Sequence, residues 1–255
     1  MRAGGAKSDA PRDGLGPDAI ERHNAVQGAY YARGKARMEP RRTPYIQRHV
    51  EQLCRFTPLA AGDRVLEVGP GQGRYTFALA DRGLELEVLE LLPTLLTLLD
   101  EARGDREIAL HQGDVLSPPD SLRPGFDAVI GLFALHHMHD FAACIASMAR
   151  LLRPGGRLAF LEPNAFNPLY YAQVAFSRDM TWEGDRGIAQ MRPGLLLKAL
   201  HAAGLEEVRL ERFGFFPPLI GNRPRAAAVE RGLERIGPLR PFLPFQLIGG
   251  RAPDG

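Results

Sequence analysis

The residues best suited to chemistry stand in one short run, Val65-Leu66-Glu67-Val68-Gly69-Pro70-Gly71-Gln72-Gly73. An apolar strand leads into a turn with glycine at alternate positions and then into a helix. Glycines are wanted where a turn needs positive φ and where a ligand must approach bare backbone. The helix after the turn adds outward N–H groups. In a parallel sheet this turn lies at the carboxyl edge, beside the switch point where ligands bind. A dinucleotide fingerprint, GxGxxG, would need a third glycine where Arg74 stands, so pyrophosphate is disfavoured. Glu67, two residues before Gly69, offers a carboxylate that suits an ammonium group better than a phosphate.

Other acidic groups come next in order. Glu90 ends a second strand, with Leu91 beside it, where a carboxylate can accept hydrogen bonds from both hydroxyls of a ribose. Gly113-Asp114-Val115-Leu116 follows a third strand; Asp114 can accept from an adenine amino group while the apolar pair packs on the ring. His136, His137 and His139 follow a fourth strand and Glu162 a fifth, all near the same edge. A neutral histidine can take a proton from a phenol or alcohol near neutrality. His137 and Glu162 are therefore the candidate catalytic groups, with His136 on the acceptor wall. No His, Asp or Glu cluster has ligand spacing around an open position, so no metal is expected. Cys54 and Cys144 lie far apart and support neither a disulfide framework nor a zinc site.

Periodicity supplies the elements that must hold these groups. A helix is expected over Ala19 to Lys35, and another after the Thr43 N-cap, with Pro44 at the first helical position and Ile46, Val50 and Leu53 on one face. Strands are expected at Arg64 to Val68, Glu85 to Glu90, Glu107 to His111, Phe126 to Leu132 and Arg157 to Leu161. Helices alternate with them: one from Arg74 to Gly83, one from Pro93 to near Gly104, and one capped by Asp140 that runs to Leu152 and breaks at Arg153-Pro154-Gly155-Gly156. This alternation implies right-handed crossovers, a largely parallel sheet and an α/β fold.

Beyond Glu162 the pattern breaks. Ala165 to Arg192 reads as an inserted helix and loop, Pro193 to Ala203 as a helix, Leu205 to Arg212 as a strand, and Phe213 to Leu243 as a second excursion with a helix near Arg225 to Ile236. Phe245 to Gly249 is the last strand expected. The organisation is a flexible tail (1–18), N-terminal helices (19–58), a ligand-binding core (59–164), a cap insertion (165–192), and a C-terminal part of the core (193–255) carrying the second insertion (213–243).

Composition sets outer limits. With 45% apolar and 24% charged residues in 255, the chain can bury one large core plus a small cap. A net charge of +2, from 32 basic and 30 acidic residues, gives no reason to expect a nucleic-acid partner. The local run Arg33, Lys35, Arg37, Arg41, Arg42 and Arg48 reads as a solvated face. No stretch reaches the roughly 18 apolar residues of a membrane span. The first residues lack the apolar core of a signal peptide, so a cytoplasmic location is expected.

Together these segments resemble the class I S-adenosylmethionine-dependent methyltransferases. Val65 to Gly73 resembles the family's first motif, Glu90 its ribose acid, Gly113-Asp114-Val115 its adenine motif, Phe126 to His137 its fourth strand, and Leu151 to Leu158 its turn into strand five. The resemblance implies a Rossmann-like seven-stranded sheet with an antiparallel terminal pair, and S-adenosylmethionine as cofactor. It implies cofactor contacts from Glu67, Gly69, Pro70, Gly71, Gly73, Glu90, Leu91, Gly113, Asp114, Val115 and Leu132. The chain lacks the Asn/Asp-Pro-Pro-aromatic motif of amino-directed enzymes and any Pro-Cys nucleophile. His136-His137 and Glu162-Pro163-Asn164 resemble small-molecule and quinone methyltransferases. The expected acceptor is a small apolar or aromatic molecule held by Tyr30, Tyr31, His136, Tyr170 and Trp182, methylated by direct in-line displacement. The alternatives are an NAD-dependent oxidoreductase, which Arg74 and the motif order disfavour, and a non-catalytic cofactor-binding protein.

Overall fold

The computed structural model describes residues 38–176 and 186–255, with Arg22, Ala25, Val26, Gly28, Ala29 and Tyr31 before them. These six isolated positions are helical. Seven strands form one sheet in the order β3-β2-β1-β4-β5-β7-β6. They are β1 (Arg64–Val68), β2 (Glu85–Glu90), β3 (Ala109–Gln112), β4 (Phe126–Leu132), β5 (Leu152–Pro163), β6 (Glu206–Phe213) and β7 (Phe245–Arg251). β1 to β5 pair in parallel, and β7 lies antiparallel between β5 and β6. This is the Rossmann-like sheet of seven strands, with an antiparallel terminal pair, that the resemblance implies.

The period-two rule divides the core. Val65, Val88, Ala128, Ile130, Ala159 and Leu161 face one layer, where they meet Val50, Leu53 and Phe56 of α1 (Pro44–Phe56), Phe77 and Leu79 of α2 (Thr76–Ala80), and Leu99 of α3 (Pro93–Arg103). Leu66, Val68, Leu89, Val129, Leu158 and Phe160 face the other. There they meet Cys144, Ile145 and Met148 of α4 (Phe141–Ala149) and Leu196 and Leu200 of α6 (Pro193–Ala202). Between β5 and α6 lies α5 (Pro168–Phe176), and between β6 and β7 lie α7 (Pro218–Gly221) and α8 (Ala226–Leu233).

Two caps agree closely with the sequence. The Thr43 hydroxyl accepts from the Ile46 N–H at 3.3 Å and Asp140 accepts from the Ala143 N–H at 3.0 Å. Several boundaries differ from expectation. β3 starts two residues late, and α2 starts at Thr76, because 71–75 remain in turns after the glycines. The α4 helix stops at Ala149, short of Leu152. Arg153-Pro154-Gly155-Gly156, expected as the helix break ahead of a separate strand, belongs to β5, which begins at Leu152 rather than Arg157. Gly155 absorbs the irregularity at φ +70° while the pairing shifts register between Phe126 and Ala128. Among the described residues no helix is long and apolar enough to cross a membrane.

Candidate active site

The carboxyl ends of β1 to β4 surround one pocket, and every strand delivers a different kind of wall. β1 contributes Val68 and the bare backbone of Gly69 and Gly71, while β2 contributes Leu89, Glu90, Leu91 and Leu92. The turn after β3 contributes Gly113, Asp114, Val115 and Leu116, and the turn after β4 contributes Phe133, Ala134, His137, Met138 and His139. Tyr31 and Met38, from the segment before α1, complete the lining.

Gly69 and Gly71 have φ of +68° and +59°. A Cβ at Gly69 would stand 2.8 Å from the Ala134 Cβ, and one at Gly71 would stand 2.5 Å from the Met38 Cε. A side chain at Gly69 would press on Ala134, and one at Gly71 would displace the flexible end of Met38 and adopt a strained φ, so glycine at both leaves N–H groups and flat peptide facing the pocket. Glu90 fixes the turn from across the sheet. Its Oε2 accepts from the Gly71 N–H at 3.1 Å and its Oε1 from the Leu92 N–H at 3.0 Å. Burial pushes this carboxyl up, and the N–H groups of Leu92, Gly71 and Leu91 pull it back towards the ionised form. Asp114 is held in a tight turn, with its Oδ1 accepting from the Leu116 N–H at 2.9 Å.

Four other expected cofactor residues stand behind this wall. Glu67 is buried and lies outside the pocket lining, on the layer that contains Thr76 and α2. Its Oε2 has no hydrogen-bond partner among the described residues. Burial raises its pKa to about 7, with repulsion from Glu90 adding to this and Thr76 opposing it. Gly73, at φ +88°, abuts the Phe77 ring, Pro70 is buried, and Leu132 belongs to the core around Val65.

The turn after β4 is built around Glu162. Its Oε1 accepts from the N–H groups of Ala134 (2.9 Å) and Leu135 (2.7 Å), and its Oε2 meets the His136 Nδ1 at 2.6 Å. Glu162 is fully buried, and neither it nor His136 lines the pocket. Glu162, expected as a catalytic group, is thus committed to holding the chain that presents His137. His136, expected on the acceptor wall, sits with its ring 4.0 Å from that of His137 and on the inner side. His137 itself lines the pocket, where its Nε2 lies 2.7 Å from the Tyr31 hydroxyl. Phe133, at the start of this turn, has a φ of +57° and its N–H donates to the Leu161 carbonyl. A non-glycine residue in that conformation carries strain that its surroundings must hold.

Tyr170 lies on α5, outside the pocket lining, and its N–H donates to Asn167 Oδ1. Tyr30, Trp182 and the 1–18 tail fall outside the described residues.

Sequence reasoning did not find Met38, Phe133 or Met138, which reach the pocket only through the tertiary fold. It also missed His49. That imidazole is buried among Tyr45, Tyr75, Phe133, Phe213 and Phe245, with its Nδ1 3.0 Å from the Tyr75 hydroxyl. Burial, with Arg74 and Arg48 nearby, holds its pKa well below the usual histidine value, so the ring is neutral. The signal was present, since His49 falls three residues after Ile46 on the apolar face of α1.

Such a pocket can take a ligand with hydroxyl groups at Glu90, a flat ring between Leu89, Val115 and Leu116, and a polar end on the glycine backbone. The opposite wall, at His137 and Tyr31, can hold a second molecule through a hydroxyl. Residues 66–160 match the family model described as "Methyltransferase domain". A ubiquinone biosynthesis O-methyltransferase of Idiomarina loihiensis is 23% identical over 83% of this chain and 89% of its own. A demethylmenaquinone methyltransferase of Deinococcus radiodurans is 33% identical, over 39% of this chain and 42% of its own. Among solved structures, phosphoethanolamine N-methyltransferase 2 of Haemonchus contortus, in complex with S-adenosylhomocysteine, superposes with a TM-score of 0.59. It is 16% identical and the match covers 93% of this chain and 59% of that one.

Proposed function

We propose that this chain, a member of the class I S-adenosylmethionine-dependent methyltransferases, methylates a hydroxyl group on a small apolar or aromatic acceptor. The observation that carries the reading is the union, in one pocket, of the Glu90-braced glycine turn with the His137–Tyr31 pair. The residues fit the cofactor. Two glycines at positive φ keep the turn bare, a buried carboxylate retains lone pairs at the pocket surface, and Asp114 stands beside apolar side chains suited to a purine. The O-methyltransferase relative supports a hydroxyl as the methylated group.

S-adenosylmethionine supplies a methyl carbon already activated on a sulfonium, so positioning provides much of the rate. Glu90 would hold the ribose and Asp114 the adenine amino group, while Gly69 and Gly71 let the polar end reach the backbone. Phe133, Met138 and Leu89 exclude water from the centre of the pocket. His137 orients the acceptor hydroxyl and receives its proton at an imidazole nitrogen, and the Tyr31 hydroxyl fixes the ring. Glu162 acts one step back, as the group that sets the turn carrying His137.

The test is incubation of the purified protein with methyl-labelled S-adenosylmethionine and a panel of catechols, hydroquinones, alkyl alcohols and amines. Labelled methyl ethers of the phenolic acceptors are expected. Label found only on the amines, or tighter calorimetric binding of NAD than of S-adenosylmethionine, overturns the reading.

A further inference from the structure

The two excursions leave the sheet at the same edge as the pocket. Pro163, where β5 ends, pairs with Phe245, and so does Phe213, where β6 ends. The excursions are then stitched together: Asn164 Nδ2 donates to the carbonyls of Pro241 and Leu243, and Asn167 Nδ2 to that of Phe242. The two adjoining excursions have an unusual composition. From Pro163 to Phe176 there is no charged residue, and Leu169 is 69% exposed. From Gly214 to Leu243, Leu219 is 79% exposed, with Val229, Ile236 and Phe242 also exposed.

The charges of this second stretch are segregated. Arg223, Arg225, Arg231, Arg235 and Arg240 are all exposed. Its two acidic residues, Glu230 and Glu234, point inward. Glu230 takes the Arg48 Nε at 2.7 Å and the N–H groups of Phe215 and Phe216, and Glu234 takes the Arg48 Nη2 at 2.6 Å and the Gly214 N–H. Their charge is therefore consumed inside, where it anchors the excursion to α1. What remains outside is cationic and studded with aliphatic side chains. On α8 Ala226 and Glu230 are buried one turn apart while Val229 is exposed, as is Arg225 at the N-cap.

We infer that this surface docks on a membrane containing anionic lipid. Leucine, isoleucine and phenylalanine side chains enter the boundary between headgroups and acyl chains, and arginines reach the lipid phosphates while their stems lie along the apolar surface. Attraction of several cations to the negative leaflet supplies the rest. A nucleic acid would use the arginines but gives no return for exposed aliphatic groups, and a second copy would set arginine against arginine. With no helix among the described residues able to span a bilayer, attachment is to the surface. Docking there turns the edge of the sheet that carries the pocket towards the bilayer. The inference stands on surface chemistry and holds whether or not the acceptor is phenolic.

Co-sedimentation of the full chain with vesicles tests it without turnover. Partitioning onto phosphatidylcholine vesicles containing phosphatidylglycerol is expected to exceed that onto phosphatidylcholine alone by about tenfold or more, and to fall as salt is raised. Arg223→Gln with Arg235→Gln should abolish the preference for phosphatidylglycerol. Leu219→Ser with Ile236→Ser should lower binding several-fold at low salt. Both pairs change exposed side chains, and an unchanged melting temperature verifies the fold. Equal partitioning onto both vesicles overturns the inference. So does binding of duplex DNA or RNA that the arginine pair loses and the leucine-isoleucine pair keeps. A dimer that Leu219→Ser with Ile236→Ser converts to monomer overturns it as well.

Discussion

Glu90, the last residue of β2, and Gly71, in the turn that follows the neighbouring strand β1, stand nineteen positions apart and are joined by a 3.1 Å hydrogen bond from the glycine N–H to the buried carboxylate. One residue thus shapes the turn and faces the pocket. Glu90→Ala removes both functions, and loss of a charged acceptor is worth about 1.5 to 3 kcal/mol. Calorimetry should show S-adenosylmethionine affinity reduced by about ten- to a hundredfold. Unchanged affinity would remove Glu90 from the cofactor site.

Two glycines with nearly equal φ separate strain from crowding. Gly69 and Gly104 stand at +68° and +58°, but a Cβ would meet Ala134 at the first and nothing within 4 Å at the second. Gly104, at φ +58° and ψ −133°, lies in a region that essentially only glycine adopts, so Gly104→Ala should cost about 1 to 3 kcal/mol from backbone strain alone and leave cofactor binding intact. Gly69→Ala adds the displacement of Ala134 to its own backbone strain, and, unlike Gly104→Ala, it should lower cofactor affinity. Thermal melting and calorimetry on the two variants compare them directly. Equal behaviour would mean that the turn does not depend on close approach.

Glu67 makes stability depend on pH. Its pKa is raised from an ordinary carboxyl value to about 7 by burial. Below the ordinary value both folded and unfolded chains hold the proton, and its burial costs nothing extra. As pH rises through that value the unfolded chain ionises first, so stability declines until the folded group also ionises near pH 7. The accumulated loss is about 3 kcal/mol. Glu67→Gln should therefore gain on the natural protein as pH goes from acid to slightly alkaline, with the gain complete near pH 8. Chemical denaturation along a pH series measures it. A difference between the two proteins that is flat with pH would place Glu67 in a more polar setting.

The division of labour between His137 and Glu162 can be read from pH profiles. If His137 receives the acceptor proton, kcat/KM should rise with pH through a limb near the histidine range, and His137→Gln should remove that limb. Glu162→Gln keeps an acceptor for the Ala134 and Leu135 N–H groups and weakens the hold on His136. Its kcat should fall while the limb survives. Loss of the limb in Glu162→Gln alone would make Glu162 the base.

Much of this was legible in the sequence where a single local rule applied. β1, β2 and β4 match their expected spans to the residue, because alternation and flanking turn residues define buried parallel strands. Rules failed where tertiary contacts dominated. Pro154-Gly155-Gly156 reads as the break that ends the preceding helix, which does stop before it, but the same residues also open β5, where Gly155 and Gly156 are held by hydrogen bonds with Pro253 and Ala252. Motif order pointed to Glu90, Gly69, Gly71 and Asp114, which all line the pocket. It could not tell that Glu67 and Leu132 stand behind the wall or that both oxygens of Glu162 are occupied. Met38 was out of reach, since its place beside Gly71 depends on how the segment before α1 folds back.

The placement of β7 between β5 and β6 constrains the order in which the chain can assemble during synthesis. The strands that surround the pocket, β1 to β4, can pair as they emerge, each beside one already made. β6 cannot, because its one neighbour in the sheet is β7, which is synthesised after it. Until residues 245–251 arrive, β6 has no seat and the edge of β5, with Leu158 to Leu161 buried in the finished protein, lies bare. An open edge of that kind recruits other strands. The nascent protein is therefore most vulnerable to aggregation and proteolysis after its pocket has formed, and a chain interrupted within β7 should be cleared rather than accumulate.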